Sequence, residues 1–332
     1  MIDQYKNAAA QVSKLREITA RPGLREQERV FMPIKIQDAL PAREILENEN
    51  IFVMTEYRAM HQDIRPLNVL MLNLMPTKIV TETQFLRKLS NTPLQVEVEF
   101  LHMASHMSTH VDQTHLSTFY QVFEQIQDKK YDGMIITGAP LDFVEFEDVD
   151  YWEELKRIME WTKTNVHCTL HSCWGSFAGL YYHHGIRKRD RVPKLSGIYS
   201  HQVVKKNSPL FRGFDDVFYA PHSRATEITA SQIEAVPELE LMAVSDEAGV
   251  AIAKTVDSRQ FFITCHPEYD SDTLKLEYER DLDKGMEPLL PVNYFPNDDP
   301  SKQPIVNWRS TGQLLLSNWL NYYVYQSTPY KL

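Results

Sequence analysis

The stretch NVHCTLHSCWGSFAGLYYHHG, residues 165–185, reads as a buried strand running directly into a helix, with a cysteine at the joint. Its first half is the kind of short, largely apolar run that a strand covered on both faces carries. The second half has helical spacing and stops at Gly185, a residue suited to the left-handed turn that closes a helix. Cys173 is therefore at a helix N-terminus, where free amides and the helix dipole favour a thiolate. This strand, nucleophile and helix succession is an elbow, and the backbone N–H of the next residue, Trp174, is placed to serve an oxyanion. Gly175 lets the turn be tight.

The flanking sequence repeats the alternation. LNVLMLNLM (67–75), LQVEVEFL (94–101) and DGMIITG (132–138) read as strands, while TETQFLRKLS, LSTFYQVFEQIQD and YWEELKRIMEWTKT carry helical spacing. Strands alternating with helices of this length predict a doubly wound α/β fold with a mostly parallel sheet. The second half adds KLSGIYSHQVV, DVFYAPHS, LELMAVS, AGVAIAKT and QFFITCHPE as shorter strands, some of them antiparallel, then a helix at SDTLKLEYERDLDKG. A proline-rich loop (288–304) leads to STGQLLLSNWLNYYVYQ, a C-terminal helical extension that packs onto the domain. Residues 1–31 are polar and broken at Pro22 and Gly23, and read as an N-terminal extension to a domain spanning 32–332.

Composition narrows the function classes. The 332 residues are 43% hydrophobic and 24% charged, enough for a sizeable core. With 35 Lys and Arg against 45 Asp and Glu, the net charge of -10 disfavours nucleic acid and anionic membranes as general partners. Only three cysteines occur, Cys168, Cys173 and Cys265, which is no disulfide framework. The N-terminus lacks the apolar stretch of a signal peptide and no run is long enough to span a bilayer, so the protein is read as soluble and cytoplasmic. Aromatics taken as exposed on the C-terminal helix suit a homodimer contact.

His266, Pro267 and Glu268 end the buried strand QFFITC. In an extended segment His266 and Glu268 face one side, so the carboxylate is placed to fix the imidazole tautomer beside the cleft. Nucleophile, base and orienter then come from two strand ends, where open α/β sheets put their sites. Cys168 lies mid-strand, and alternation turns Cys265 away from the side His266 faces, so both are read as packing residues. His102, His106, His110 and His115 recur every four or five residues, but Met, Ser and Thr intervene and only Asp112 joins them; a polar loop is expected there and no metal. His183 and His184, at a helix end, are read as favourable partners of its dipole.

A cysteine elbow followed about ninety residues later by His-Pro-Glu resembles the class I glutamine amidotransferase-like fold, a flavodoxin-like sheet with a Cys-His-Glu triad. The strings LNLMPTKI, ETQFLRKLSN, GAPLDFVEF, HPEYDSDTL and NWLNYYVYQ are more specific and resemble the homoserine O-acyltransferase family over residues 32–332. The resemblance implies a ping-pong reaction with no bound cofactor. Acyl-CoA, acetyl-CoA or succinyl-CoA, acylates Cys173; His266, supported by Glu268, then activates the hydroxyl of L-homoserine. It further implies that Lys78 stands at the acyl site and that Lys194, Ser223 and Arg280 contact the amino acid.

Asp142 occupies the position where the resemblance implies Gly for succinyl-CoA and Glu for acetyl-CoA. A carboxylate there repels the succinyl carboxylate, so acetyl-CoA is the expected donor. Near the C-terminus, Thr311 and Gln313 replace the family's His and Asn, which leaves L-serine as an alternative acceptor. Two rivals share the triad or the fold: a glutamine amidase, and a binding protein without catalysis.

Overall fold

The computed structural model describes residues 66–106 and 113–329, together with a short parallel pair formed by Lys35–Ile36 and Met54–Thr55. The expected extension at 1–31, and His110 and Asp112, lie outside the described residues.

Alternation on the central strands buries both of their faces. On β1 (Leu67–Leu72), Leu70 and Leu72 enter one apolar cluster while Val69 and Met71 enter another. On β4 (Tyr131–Ile136), Met134 and Ile136 join the first and Ile135 the second. Helices cover each face because each has an apolar stripe to bury. The first is covered by α3 (Phe123–Ile126), α4 (Trp152–Asn165) and α5 (Trp174–His184). The second is covered by α1 (Lys78–Leu89) and α8 (Arg309–Asn318), which continues as a π-helical segment, Trp319–Tyr325.

Between these elements run β2 (Val96–Leu101), α2 (Gln113–Phe119), β3 (Tyr120–Gln121), β5 (Val166–Ser172), β6 (Arg189–Val203), β7 (Val217–Glu227), α6 (Ala230–Glu234), β8 (Leu239–Ser245), β9 (Gly249–Thr255), β10 (Gln260–Ile263) and α7 (Thr273–Asp283). The ten strands form one sheet in the order β3-β2-β1-β4-β5-β10-β9-β8-β6-β7. Every pair from β3 to β10 is parallel, and every pair from β10 to β7 is antiparallel. Within the parallel part, β2-β1-β4-β5-β10 has the flavodoxin-like order, so a doubly wound α/β fold with antiparallel additions is what the chain adopts.

Several expectations change. LSTFYQVFEQIQD is not one helix: Tyr120 and Gln121 leave the helical path to pair with Phe100 and Leu101 at the sheet edge. The Tyr120 hydroxyl explains the break, since it bonds both Asn73 and Glu82 beyond the end of β1. The C-terminal helix offers no exposed aromatic stripe either. Trp319 and Tyr323 are buried, and Trp319 Nε1 donates to Cys168 Sγ at 3.2 Å. A Cβ at Gly133 would meet the Trp319 ring at 3.0 Å, so a glycine inside β4 makes room for the indole. The homodimer expectation loses its premise. Finally, His183 is half-buried and its pKa falls to about 3, because desolvation disfavours the cation; a neutral imidazole offers the helix dipole no charge.

Candidate active site

Cys173 joins β5 to α5 in a conformation that L residues rarely adopt, with φ 50° and ψ -119°. Such backbone costs about 1–3 kcal/mol and persists only where the surroundings over-determine it. Here they do. Cys173 N–H donates to the Ile263 carbonyl at 2.7 Å, and the buried Ser176 hydroxyl bonds the carbonyls of His171 and Ile263 at 2.7 and 2.8 Å. Gly175 is needed for proximity: a Cβ there would lie 2.6 Å from the Thr137 carbonyl and 2.8 Å from that of Ile136. The first turn of α5 thus rests on the end of β4, and the unusual φ is borne by Cys173 itself.

Gly138, at the exit of β4, forms the opposite wall. A Cβ on Gly138 would sit 3.1 Å from Cys173 Cβ and 3.6 Å from Trp174 N, so the absent side chain keeps open the space beside the sulfur and the oxyanion donor proposed at Trp174. In the sequence Gly138 was only a strand terminus, and nothing in a single chain marks it as part of a site.

His266 and Glu268 are both buried, and His266 Nδ1 lies 2.7 Å from Glu268 Oε1. They meet across a turn, not along an extended strand, because β10 ends at Ile263 and the Tyr269 N–H closes on the His266 carbonyl at 3.3 Å. Tyr269 stacks on the imidazole with ring centres 4.1 Å apart and planes at 21°. Trp308 Nε1 donates to the Tyr269 carbonyl at 3.0 Å, and Gly312 packs so closely on Pro267 that a Cβ would lie 2.2 Å from its carbonyl oxygen. Burial alone would lower the pKa of His266; the Cys173 sulfur and the Glu268 carboxylate outweigh it and hold the imidazole well above its ordinary range. Cys168 and Cys265 are buried in the apolar cluster beneath, and burial raises the Cys168 thiol to about 12.

Three of the basic and polar residues singled out in the sequence converge on α7. Ser223, opposite Ser196 in the register of β7 and β6, donates to Glu277 Oε2. The Tyr269 hydroxyl donates to Glu277 Oε1 at 2.8 Å, which joins this carboxylate to the ring stacked on His266. Arg280 Nη2 donates to Asp281 Oδ1 at 2.7 Å, and Lys194 Nζ lies 3.5 Å from Asp281 Oδ2. A cavity of about 190 Å³ opens beside this cluster, lined in part by Lys194, Ser196, Glu277 and Asp281. Glu277 and Asp281 had not stood out in the sequence, although their spacing of four puts both on one helical face.

Lys78 lies apart from this group. It heads α1, donates to the Asn73 carbonyl, and has its pKa lowered to about 8 by burial, with Glu82 pulling the other way. Asp142, half-buried, accepts from the Thr226 hydroxyl at 3.1 Å through Oδ1. Next to Thr226 in the strand order of side chains stands Arg224, a buried cation that donates to the carbonyls of Thr226 and Ala248 and lies close enough to feel the Cys173 charge; burial lowers its pKa to about 10. Arg224 directly follows Ser223 in the sequence, where a lone arginine gives no sign of burial. His102, His106 and His115 take three different partners, Met103, Asp150 and Glu82. Thr311 and Gln313 bond the carbonyls of Tyr219 and Lys88, so the segment that departs from the family pattern ties α8 to β7 and α1.

A cysteine elbow with a buried His–Glu pair on a doubly wound sheet defines the class I glutamine amidotransferase-like fold. In agreement, a glutamine amidotransferase from Thermotoga maritima superposes with a TM-score of 0.50 at 12% identity, covering 79% of this chain and 99% of that one. The family model described as homoserine O-succinyltransferase matches residues 33–330. A homoserine O-acetyltransferase of Acetivibrio thermocellus is 58% identical over 301 residues, 91% of this chain and 99% of that protein. Another, of Petrotoga mobilis, is also 58% identical, over 91% of this chain and 97% of its own length. The chain belongs to the homoserine O-acyltransferase family, and is an O-acyltransferase.

Gly138→Ala should lower turnover by roughly tenfold or more through displacement of Cys173, since small misplacements of reacting groups are costly. Steady-state rates beside a thermal unfolding curve check this; unchanged turnover would remove Gly138 from the site.

Proposed function

We propose that the protein transfers an acetyl group from acetyl-CoA, through a thioester on Cys173, to the side-chain hydroxyl of L-homoserine, a step of methionine biosynthesis in the cytoplasm. The observation that carries this reading is the locked His266–Glu268 pair beside the strained elbow. It supplies a nucleophile, a proton carrier and an orienting carboxylate from the ends of β5 and β10.

In the first half-reaction Cys173 Sγ attacks the thioester carbonyl of acetyl-CoA. The developing oxyanion is met by the Trp174 N–H at the head of α5, and the coenzyme A sulfur leaves with the proton from His266. Acylation discharges the sulfur that had raised the imidazole, so the basicity of His266 falls toward a range where the neutral base is available. The homoserine hydroxyl then gives its proton to His266 as its oxygen attacks the acetyl carbon. Collapse of the second tetrahedral intermediate forms the ester and returns Cys173. Lys78, buried and cationic below about pH 8, adds positive potential at the acyl side.

The acceptor is a zwitterion, and the polar cluster on α7 suits one. Glu277, fixed by Ser223 and Tyr269, is placed to take an α-ammonium; Lys194 and Arg280 supply cations for an α-carboxylate. Homoserine is favoured over serine because the relatives are named for it and because Thr311 and Gln313 spend their hydrogen bonds on backbone carbonyls. Asp142 supports acetyl over succinyl: its carboxylate is tethered by Thr226 and presents negative charge toward any acyl group that ends in one.

Incubation with acetyl-CoA alone should add one acetyl group, mapped to Cys173 by peptide mass spectrometry and absent in Cys173→Ala. An adduct at another residue, or ammonia release from glutamine in its place, contradicts the reading. Asp142→Gly should raise the use of succinyl-CoA relative to acetyl-CoA by about tenfold or more. An unchanged ratio would acquit Asp142 of choosing the donor.

A further inference from the structure

Asp281 has no part in the reaction as written, yet it touches both cations assigned to the acceptor. It is buried, and its Oδ1 accepts from Arg280 Nε at 2.9 Å and Nη2 at 2.7 Å while Oδ2 lies 3.5 Å from Lys194 Nζ. Neighbouring residues on a helix do not face one another, so the Arg280 side chain folds back across Asp281 to make this contact. One edge of the guanidinium is thereby spent on Asp281, and the Nη1 side remains for a ligand. Lys194 arrives from β6, a different element, and meets the same carboxylate from its other oxygen.

A buried carboxylate is costly unless cations compensate it, and two long basic side chains side by side repel and wander unless an anion gathers them. Each side of this contact therefore needs the other. Lys194, whose side chain is 38% exposed, lines the cavity with Glu277 and Asp281, and Arg280, 52% exposed, adjoins it through its bond to Asp281. An acceptor with one carboxylate and one ammonium completes the balance, its carboxylate against the two gathered cations and its ammonium against Glu277.

We propose that Asp281 is a positioning residue for the acceptor: it ties Lys194 to Arg280 so that both meet the α-carboxylate of homoserine. This rests on the acetyl-transfer reading above. The two half-reactions separate the role from a general loss of structure. In the full-length chain, Asp281→Asn should raise KM for homoserine about 10- to 100-fold. Acetylation of Cys173 by acetyl-CoA, followed as coenzyme A release without acceptor, should stay within about twofold of the parent. Asp281→Glu, which keeps the charge but displaces it by one methylene, should raise the same KM less and also spare acetylation. With homoserine amide, which lacks the carboxylate, the gap between parent and Asp281→Asn should shrink to about twofold. A homoserine KM unchanged in both variants overturns the proposal. So does an acetylation rate that falls in step with the loss of acceptor use, which marks a merely structural residue. A parent chain that fails to acetylate Cys173 would instead bring down the reading beneath it.

Discussion

The backbone of Cys173 is held at a positive φ by contacts that reach it from three parallel strands at once. Ile263 of β10 takes its N–H, Ser176 pins β5 to β10, and the end of β4 presses on Gly175. These contacts exist only because β4, β5 and β10 are adjacent in that order, which the flavodoxin-like winding enforces. The same adjacency brings the turn after β10 beside the elbow, and with it His266. Strain, register and base placement are thus one constraint. A fold that relaxed the elbow would also move His266 away from the cysteine it is proposed to serve.

Behind the turn lies a second layer. Trp308 and Gly312 brace the His-Pro-Glu turn from α8, Tyr269 covers the imidazole, and its hydroxyl passes on to Glu277 in α7. The C-terminal helical segment is therefore tied to the His266 turn as well as to the core. It fixes the base turn from one side while α7 fixes the polar cluster from the other. Orientation of the imidazole and the position of Glu277, proposed to take the amino acid, are linked through one tyrosine.

Much of this was legible in the sequence, for definite reasons. Continuous apolar runs and helix spacing gave the central strands and the doubly wound class, because both faces of β1, β4 and β5 are buried. The elbow was visible since Cys173 falls at a change of period from strand to helix. His266 and Glu268 were legible as a pair, though the path between them is a turn and not a strand. What escaped has a common cause: it depends on contacts distant in sequence. Tyr120 breaks a helical pattern to bond Glu82 and Asn73, Gly133 yields to Trp319 far along the chain, and Gly138 faces Cys173 only in three dimensions. Arg224, Glu277 and Asp281 are ordinary charged residues until the sheet and α7 close around them.

Cys173, His266 and Glu268 are proposed to act as one coupled unit, in which the sulfur and the carboxylate raise the proton affinity of the imidazole before acylation. Nitrogen NMR of the histidine side chains as a function of pH reads this directly. His266 should titrate well above the ordinary imidazole value of about 6.5 in the parent chain and fall back in Cys173→Ala, where the sulfur charge is gone. Titration at or below that value, unmoved by removal of the thiol, would contradict the account.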